Sequence, residues 1–294
     1  MGDYVIRGTA ADGQILAFAA DTTEMVEEAR RRHGLTPTAT AALGRTLTAA
    51  AMMACQLKNS EESVTIQLEG SGPIGRVVAV ADGEGRVRGY VDNPEVDLPL
   101  NKQGKLDVGG AIGIGVMNIT KDLGLKEPYT GSTHLVSSEV AEDLAYYFTV
   151  SEQIPSAVSL GVMVNKDGTV WTAGGFILQM MPGATEAAAD LLQERVMAFP
   201  RVTEYLAEGH SPEELLKELL GDMDLVIMEK KDTGFRCNCS REKVSAALLS
   251  IGAEELQQLE EAGEPVEMGC HFCNEKYVFS PEEVKALREQ ALQK

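Results

Sequence analysis

Four of the five cysteines in this 294-residue chain fall in two close pairs near its end, Cys237-Asn238-Cys239 and Cys270-His271-Phe272-Cys273. Each pair can set two sulfurs on one side of a tight turn. Two such turns facing each other supply the four thiolates of a tetrahedral Zn2+ site, one ion per chain. Four sulfurs fill the coordination sphere, so no position is left for a reactive water, and hydrolytic zinc chemistry is disfavoured. The second pair has the spacing of an ordinary zinc knuckle, whereas the first, with a single intervening residue, is tighter than structural sites generally use. Sulfurs held that close can also be oxidised to one another, so the site could exchange its metal for two local disulfides.

Magnitudes indicate what that exchange would do. Zinc contributes on the order of 10–16 kcal/mol to small zinc modules, against about 2 kcal/mol for each disulfide closing so short a loop. Whole domains are stable by only about 5–15 kcal/mol, so oxidation is expected to unfold the segment that carries the cysteines. A static zinc site that merely staples a small domain is the competing reading of the same spacing.

Other chemistry-bearing residues are set aside on their context. His271 lies inside the second turn and is expected to stand outside the coordination sphere. Cys55 sits among small apolar residues and reads as a buried filler. His33, His134 and His210 are scattered. Gly70-Ser71-Gly72-Pro73-Ile74-Gly75 has the glycine spacing of a dinucleotide site, but a β-like run, RVVAVAD, follows it where a helix N-terminus is required. A thioredoxin-type role for Cys270 and Cys273 lacks the strand-to-helix unit that would activate a thiolate.

The elements that must position the cysteines follow from the pattern of the rest of the chain. Residues 1–181 read mainly as short strands, with Asp12-Gly13 and Asp167-Gly168 as hairpin turns and SVTIQLEG, GRVVAVAD and RVRGYVD between them, suggesting a largely antiparallel sheet. Two helices interrupt it, at about Thr23–Arg32 and about Thr38–Leu57, the second crowded with Ala, Thr and Met. From Pro182 the pattern turns helical through residue 231. Leu191, Leu192, Val196 and Phe199 recur at helical spacing, and Ser211-Pro212-Glu213-Glu214 marks a capped helix start. These helices are amphipathic and need a surface to lie on. Residues 232–294 carry the cysteine pairs and few large apolar residues, too few to fold robustly by packing alone. The expected architecture is α+β: an antiparallel β-rich domain over 1–181, a helical linker over 182–231, and a small zinc-binding domain over 232–294.

Composition excludes several partners. Net charge is −19 with a pI near 4.6, which disfavours nucleic acid and anionic membrane surfaces. From Cys237 onward six Lys or Arg face eleven Glu, so a nucleic-acid zinc ribbon gains nothing from counterion release. The N-terminal MGDYVIRG reads as neither a signal peptide nor a myristoylation site, and the longest apolar run, AALGRTLTAAAMMACQL, contains Arg45. The expected location is the cytoplasm, where clustered thiols are metal-binding or redox-sensing in preference to structural disulfides.

The order of these features, RRHG, TATAALGRTLTAA, EGSGPIG, NKQGKLDV, KDLGL, SEQIPSAV, GGFILQMMPG, then Cys-x-Cys and GCHFCNEKY, resembles the bacterial redox-regulated 33-kilodalton heat-shock chaperonin family over nearly the whole chain. The resemblance implies a chaperone without ATP hydrolysis, folded and inactive while reduced and zinc-bound. Oxidation in that family forms disulfides between near neighbours, here Cys237 with Cys239 and Cys270 with Cys273, releases zinc and unfolds the tail and linker. The active form is a homodimer that holds unfolding client proteins. On this reading the chain is not an enzyme. Client contacts are expected at Met180, Met181, Leu191, Leu192, Val196, Leu215, Leu216 and Leu219, apolar surface bared when the tail releases the linker. Two alternatives stand beside it: a constitutive zinc-stapled binding module and a thiol oxidoreductase.

Overall fold

The structure, a computed structural model, describes residues 2–292; residue 1 of the expected first domain and residues 293 and 294 of the last lie outside the described residues. The chain divides into two compact units, Met1–Arg236 and Cys237–Lys294. The first contains β1 (Tyr4–Ala10), β2 (Ile15–Asp21), α1 (Thr23–His33), α2 (Pro37–Ala54), β3 (Ser63–Gly70), β4 (Arg76–Asp82), β5 (Arg86–Val91), α3 (Val108–Ile112), β6 (Gly115–Asp122), β7 (Tyr129–His134), α4 (Val140–Val150), β8 (Ser156–Val164), β9 (Val170–Met180), α5 (Glu186–Ala198), α6 (Val202–Ala207), α7 (Pro212–Leu220), β10 (Val226–Asp232) and β11 (Gly234–Phe235). The second contains α8 (Arg241–Leu249), α9 (Ala253–Ala262), β12 (Val266–Gly269), β13 (Lys276–Phe279) and α10 (Pro281–Ala291). The fold is α+β. No helix among the described residues is long and apolar enough to cross a membrane.

The strands of the first unit form two sheets instead of the single one the sequence suggests, ordered β10-β1-β2-β9-β8 and β11-β5-β4-β3-β6-β7. The reason is α2. All of it except Pro37 and Arg45 is buried, because it packs against strands of both sheets. A helix buried on every side must satisfy its own polar groups, and the hydroxyls of Thr40, Thr46 and Thr48 donate to the carbonyls of Thr36, Ala42 and Gly44 at 2.8 Å each. Small residues let α1 and β8 approach: a Cβ on Gly44 would stand 2.6 Å from Val26 Cγ1 and 2.8 Å from Val162 Cγ2. The Asp12-Gly13 turn joins β1 to β2 with φ of 54° and 82°, the left-handed pair that a tight hairpin requires.

Helices α5 to α7 lie on the first sheet. Leu192, Val202, Leu206, Leu215, Leu216, Leu219, Leu220 and Met223 are buried in one cluster with Tyr4, Ile6, Ile15, Ala17, Phe176 and Leu178. The segment is anchored at both ends to the β1–β2 turn: Met181 N donates to Gln14 O at 2.8 Å, and Ala11 N donates to Met223 O at 2.6 Å. Ser211 and Glu214 form the capping box that starts α7. The expected helical run over 182–231 is corrected at its end, where residues 226–232 form β10, antiparallel to β1. Val226 and Ile227 are β-branched and, with Met228, form an apolar run with no helical period, and the edge of β1 offers it a ladder.

Asp3 ties the start of β1 to α1. Its carboxylate accepts from Glu24 N at 3.0 Å and Met25 N at 2.5 Å, an arrangement that favours ionisation at a helix N-terminus. Burial outweighs those bonds and pushes the Asp3 carboxyl up to about 7. An unfolded aspartate titrates near pH 3.9, so the folded chain holds this proton more tightly. The contribution of Asp3 to stability is therefore greatest below about pH 4 and is lost as pH rises through 7.

Two measurements check these placements. Stability followed by denaturant titration is expected to fall between about pH 4 and pH 7 and to level off above, and Asp3→Asn is expected to flatten that dependence. Leu216→Ala is expected to cost about 2–5 kcal/mol, read by amide exchange as easier opening of residues 186–220 in the reduced protein.

Candidate metal centre

Cys237 and Cys239 stand immediately before α8, whose N-cap is Ser240, with Lys243 Nζ donating to Asn238 O at 2.8 Å to fix the short turn between them. Cys270 and Cys273 occupy the turn between β12 and β13. Cys270 N donates to Glu275 O and Asn274 N to Cys270 O, both at 2.8 Å, and Asn274 takes the left-handed conformation, φ 58°, that reverses the chain. Around them lies a core of only Leu248, Leu256, Phe279 and Val284, edged by partly buried residues such as Val244, Met268 and Leu287. Arg241 helps to close it: the guanidinium donates to Val278 O at 2.9 Å, pairs with Glu283 at 2.6 Å and lies 4.5 Å from the centre of the Phe279 ring.

The two turns bring the four sulfurs together, all within 4.8 Å of one another. Cys237 Sγ is 3.7 Å from Cys270 Sγ, and Cys239 Sγ is 3.5 Å from Cys273 Sγ. A disulfide would require about 2.05 Å, and all four are free thiols. Four sulfurs arranged tetrahedrally about 2.3 Å from a common ion stand about 3.8 Å apart. The donor set therefore fits a closed four-thiolate centre.

Electrostatics point the same way. Burial pushes the Cys237 thiol up to about 11 and raises that of Cys273 as well. At Cys239 burial opposes ionisation too, but hydrogen bonds outweigh it, the largest from the Tyr277 hydroxyl at 3.2 Å, and the thiol lies below its usual range. That bond to Cys239, more than burial, holds the Tyr277 phenol protonated. In such a cluster several thiols would keep their protons unless a cation compensated the charge. Soft sulfur donors in closed tetrahedral array suit Zn2+.

Tyr277 escaped the sequence reading; it lies on β13, four residues beyond Cys273 and within reach of the cluster. Cys55 is buried, as expected, and burial pushes its thiol up to about 11. The glycine-rich 70–75 segment is the turn from β3 to β4, packed against α3 through Gly72 N donating to Ile112 O at 2.8 Å. Of the residues expected to meet clients, Leu192, Leu215, Leu216 and Leu219 are buried in the cluster beneath α5 to α7, Met180, Leu191 and Val196 are partly buried beside it, and Met181 is exposed. Val202, Leu206, Leu220 and Met223 belong to that cluster too.

Comparison with known proteins follows the same outline. The family described as Hsp33 protein matches residues 3–280. The 33 kDa chaperonin of Ruminiclostridium cellulolyticum is 51% identical over 285 residues, covering 97% of each chain. That of Acetivibrio thermocellus is 49% identical over 287 residues, covering 98% of this chain and 97% of its own. The crystal structure of the 33 kDa chaperonin (heat shock protein 33 homologue) from Thermotoga maritima superposes with a TM-score of 0.94 at 41% identity, with full coverage of both chains.

Elemental analysis of reduced protein is expected to find one divalent ion per chain, with Cys55→Ser unchanged. Serine at any one of Cys237, Cys239, Cys270 or Cys273 is expected to abolish that ion and the ordered signals of residues 237–292 by NMR.

Proposed function

Because the chain belongs to the Hsp33 family and is a chaperone of that type, we propose that it is a redox-switched, ATP-independent holdase of the cytoplasm whose sensor is its own four-cysteine centre. The observation that carries this reading is the close approach of four free sulfurs in a unit with so small a core. When bound, Zn2+ would hold all four sulfurs as thiolates and stabilise a fold that packing alone leaves marginal. Each pair of thiolates would then give two electrons to peroxide, which takes up two protons from solvent and is reduced to two waters, and one S–S bond forms. With the sulfurs bonded to each other, no thiolate remains to hold the ion.

Which sulfurs pair decides what happens next. The separations of 3.7 and 3.5 Å run across the pairs, from Cys237 to Cys270 and from Cys239 to Cys273. Disulfides there would close loops of over thirty residues and restrain the unfolded tail by about 4 kcal/mol each, against about 2 kcal/mol for bonds within a pair. Cross-pairing would replace one staple by another. Pairing of Cys237 with Cys239 and of Cys270 with Cys273, which the resemblance to the family implies, leaves the tail free.

Loss of the tail then loosens the linker that precedes it. Release of α5 to α7 bares Leu192, Leu215, Leu216 and Leu219, Leu191 and Val196 beside them, and the sheet face of Ile6, Ile15, Phe176 and Leu178 on which they lie, with Met180 and Met181 at its margin. Apolar surface of that extent holds other apolar surface with little sequence discrimination. Methionines add adaptability. The same exposure favours a homodimer in the oxidised state, and no turnover of a substrate is involved.

The test follows metal release with a chromogenic chelator while peroxide is added at mild heat, and in the same samples measures suppression of aggregation of an unfolding protein. Expected are coincident loss of zinc, suppression that reductant reverses, and peptide maps joining Cys237 to Cys239 and Cys270 to Cys273. Retention of zinc, or its loss without suppression, would leave a constitutive zinc-stapled module.

A further inference from the structure

The segment that leads into the metal centre also covers a sheet edge. β10 pairs with β1 from Tyr4↔Asp232 to Thr9↔Val226, and the register slips between Arg7 and Gly8, leaving Met228 as a bulge. β10 is the outermost strand of its sheet. It buries little of its own side-chain surface, with Val226, Ile227 and Met228 exposed by 59%, 42% and 56%. What seats it is mostly main chain. Side-chain ties are few: the pairing of Arg7 with Glu229 at 3.9 Å, and Lys230, which lies 3.4 Å from the centre of the Tyr4 ring and 3.2 Å from Glu213.

The two strands differ as edges. β10 carries the devices that keep an edge from recruiting other strands: a bulge, and the charged run Glu229-Lys230-Lys231-Asp232. β1 carries none of them. It is seven residues long, pairs without a register shift along its other side with β2, and has Arg7 as its only charge. Gly8 keeps its outer side open, since a Cβ there would stand 2.8 Å from Val226 O. β10 thus blunts an edge that, uncovered, would be adhesive.

We propose that β10 occupies the place of a client. On the switch proposed above, β10 leaves with the linker, and the backbone edge of β1 takes up an extended apolar segment of an unfolding polypeptide as an added strand. Main-chain hydrogen bonds supply the attachment, so unrelated sequences are accepted, while the neighbouring apolar face holds their side chains. The strand now seated there shows what the edge accepts: a short extended segment with β-branched residues, held chiefly through its backbone.

The test uses the full chain, reduced and oxidised, and a labelled synthetic peptide of residues 225–233. Two N-methylated versions accompany it, one blocked at the amides that face β1 and the other at those that face away, the alternation changing phase at the Met228 bulge. Fluorescence anisotropy is expected to show binding to the oxidised protein only, with one N-methylated phase weakened at least tenfold and the other retained, since only one set of amides faces β1. Hydrogen exchange of residues 4–10 is expected to speed up on oxidation and slow again when the peptide or an unfolding protein is added. Equal binding of both N-methylated peptides, or a β1 that stays protected after oxidation, overturns the inference; if protection persists only at concentrations where the protein is dimeric, a second copy holds the edge instead of a client. Aggregation is followed in the same samples. Suppression without any change at β1 overturns this inference alone, whereas zinc release without suppression removes the switch and this inference with it.

Discussion

Four sulfurs within 4.8 Å of one another, three half-buried and that of Cys273 buried, cannot all be ionised without a compensating cation, because burial and mutual repulsion both oppose the charge. Nor can the unit around them fold well on packing alone, since its core amounts to Leu248, Leu256, Phe279 and Val284. One cation held by all four sulfurs would meet both deficits. The local devices in the tail, the capping box of Ser280 and Glu283, the Arg241 contacts and the Glu260–Arg288 pair at 3.0 Å, set the geometry but are individually worth about 1 kcal/mol or less. On the proposed switch, a unit built this way would respond to thiol chemistry as a whole.

The first unit is constructed on the opposite principle. Its central helix α2 is buried among strands of two sheets, with its hydroxyls bonded inward, so its stability is independent of sulfur chemistry. Between these extremes lie α5 to α7. They bury leucines on a complete sheet, but ordering so many residues costs entropy of comparable size, and segments of this kind open well below the global unfolding free energy. The gradient from metal-dependent tail to packed body is what a switch requires: one part must fail while another stands and offers its surface.

The cysteine centre was legible because metal ligation needs particular residue types at particular spacings, and Cys237, Cys239, Cys270 and Cys273 supply them locally. The hairpin at Asp12-Gly13 and the capped start at Ser211 were legible for the same reason, being short-range chemistry. What the sequence concealed is long-range. The division of one expected sheet into two depends on where α2 is inserted, and nothing in the strands' own alternation records that. Likewise β10 takes its conformation from the free edge of β1, more than two hundred residues away in the chain, so reading residues 226–231 as helix followed from their helical neighbours. The placement of Leu215, Leu216 and Leu219 on an amphipathic stripe was visible; that the stripe lies over Ile6, Ile15 and Phe176 was not.

The position of the first ligand pair along the chain gives the coupling its direction. Residues 226–236 form one continuous seam: β10 runs along β1, β11 pairs with β5 at Gly234 and Phe235, and Arg236 N donates to Val87 O at 2.8 Å. Cys237 follows at once. On the proposed switch, loss of the cluster would leave the seam ending in loose chain, free to fray from residue 236 inward. The first steps meet little resistance, because β11 is two residues long and β10 is exposed over Val226, Ile227 and Met228. Only after β10 has left does α7 lose the partner that Glu213 finds in Lys230. On that switch an unfolding signal entering at Cys237 would reach the edge strand before the helices, the order of release following the order of the elements along the chain.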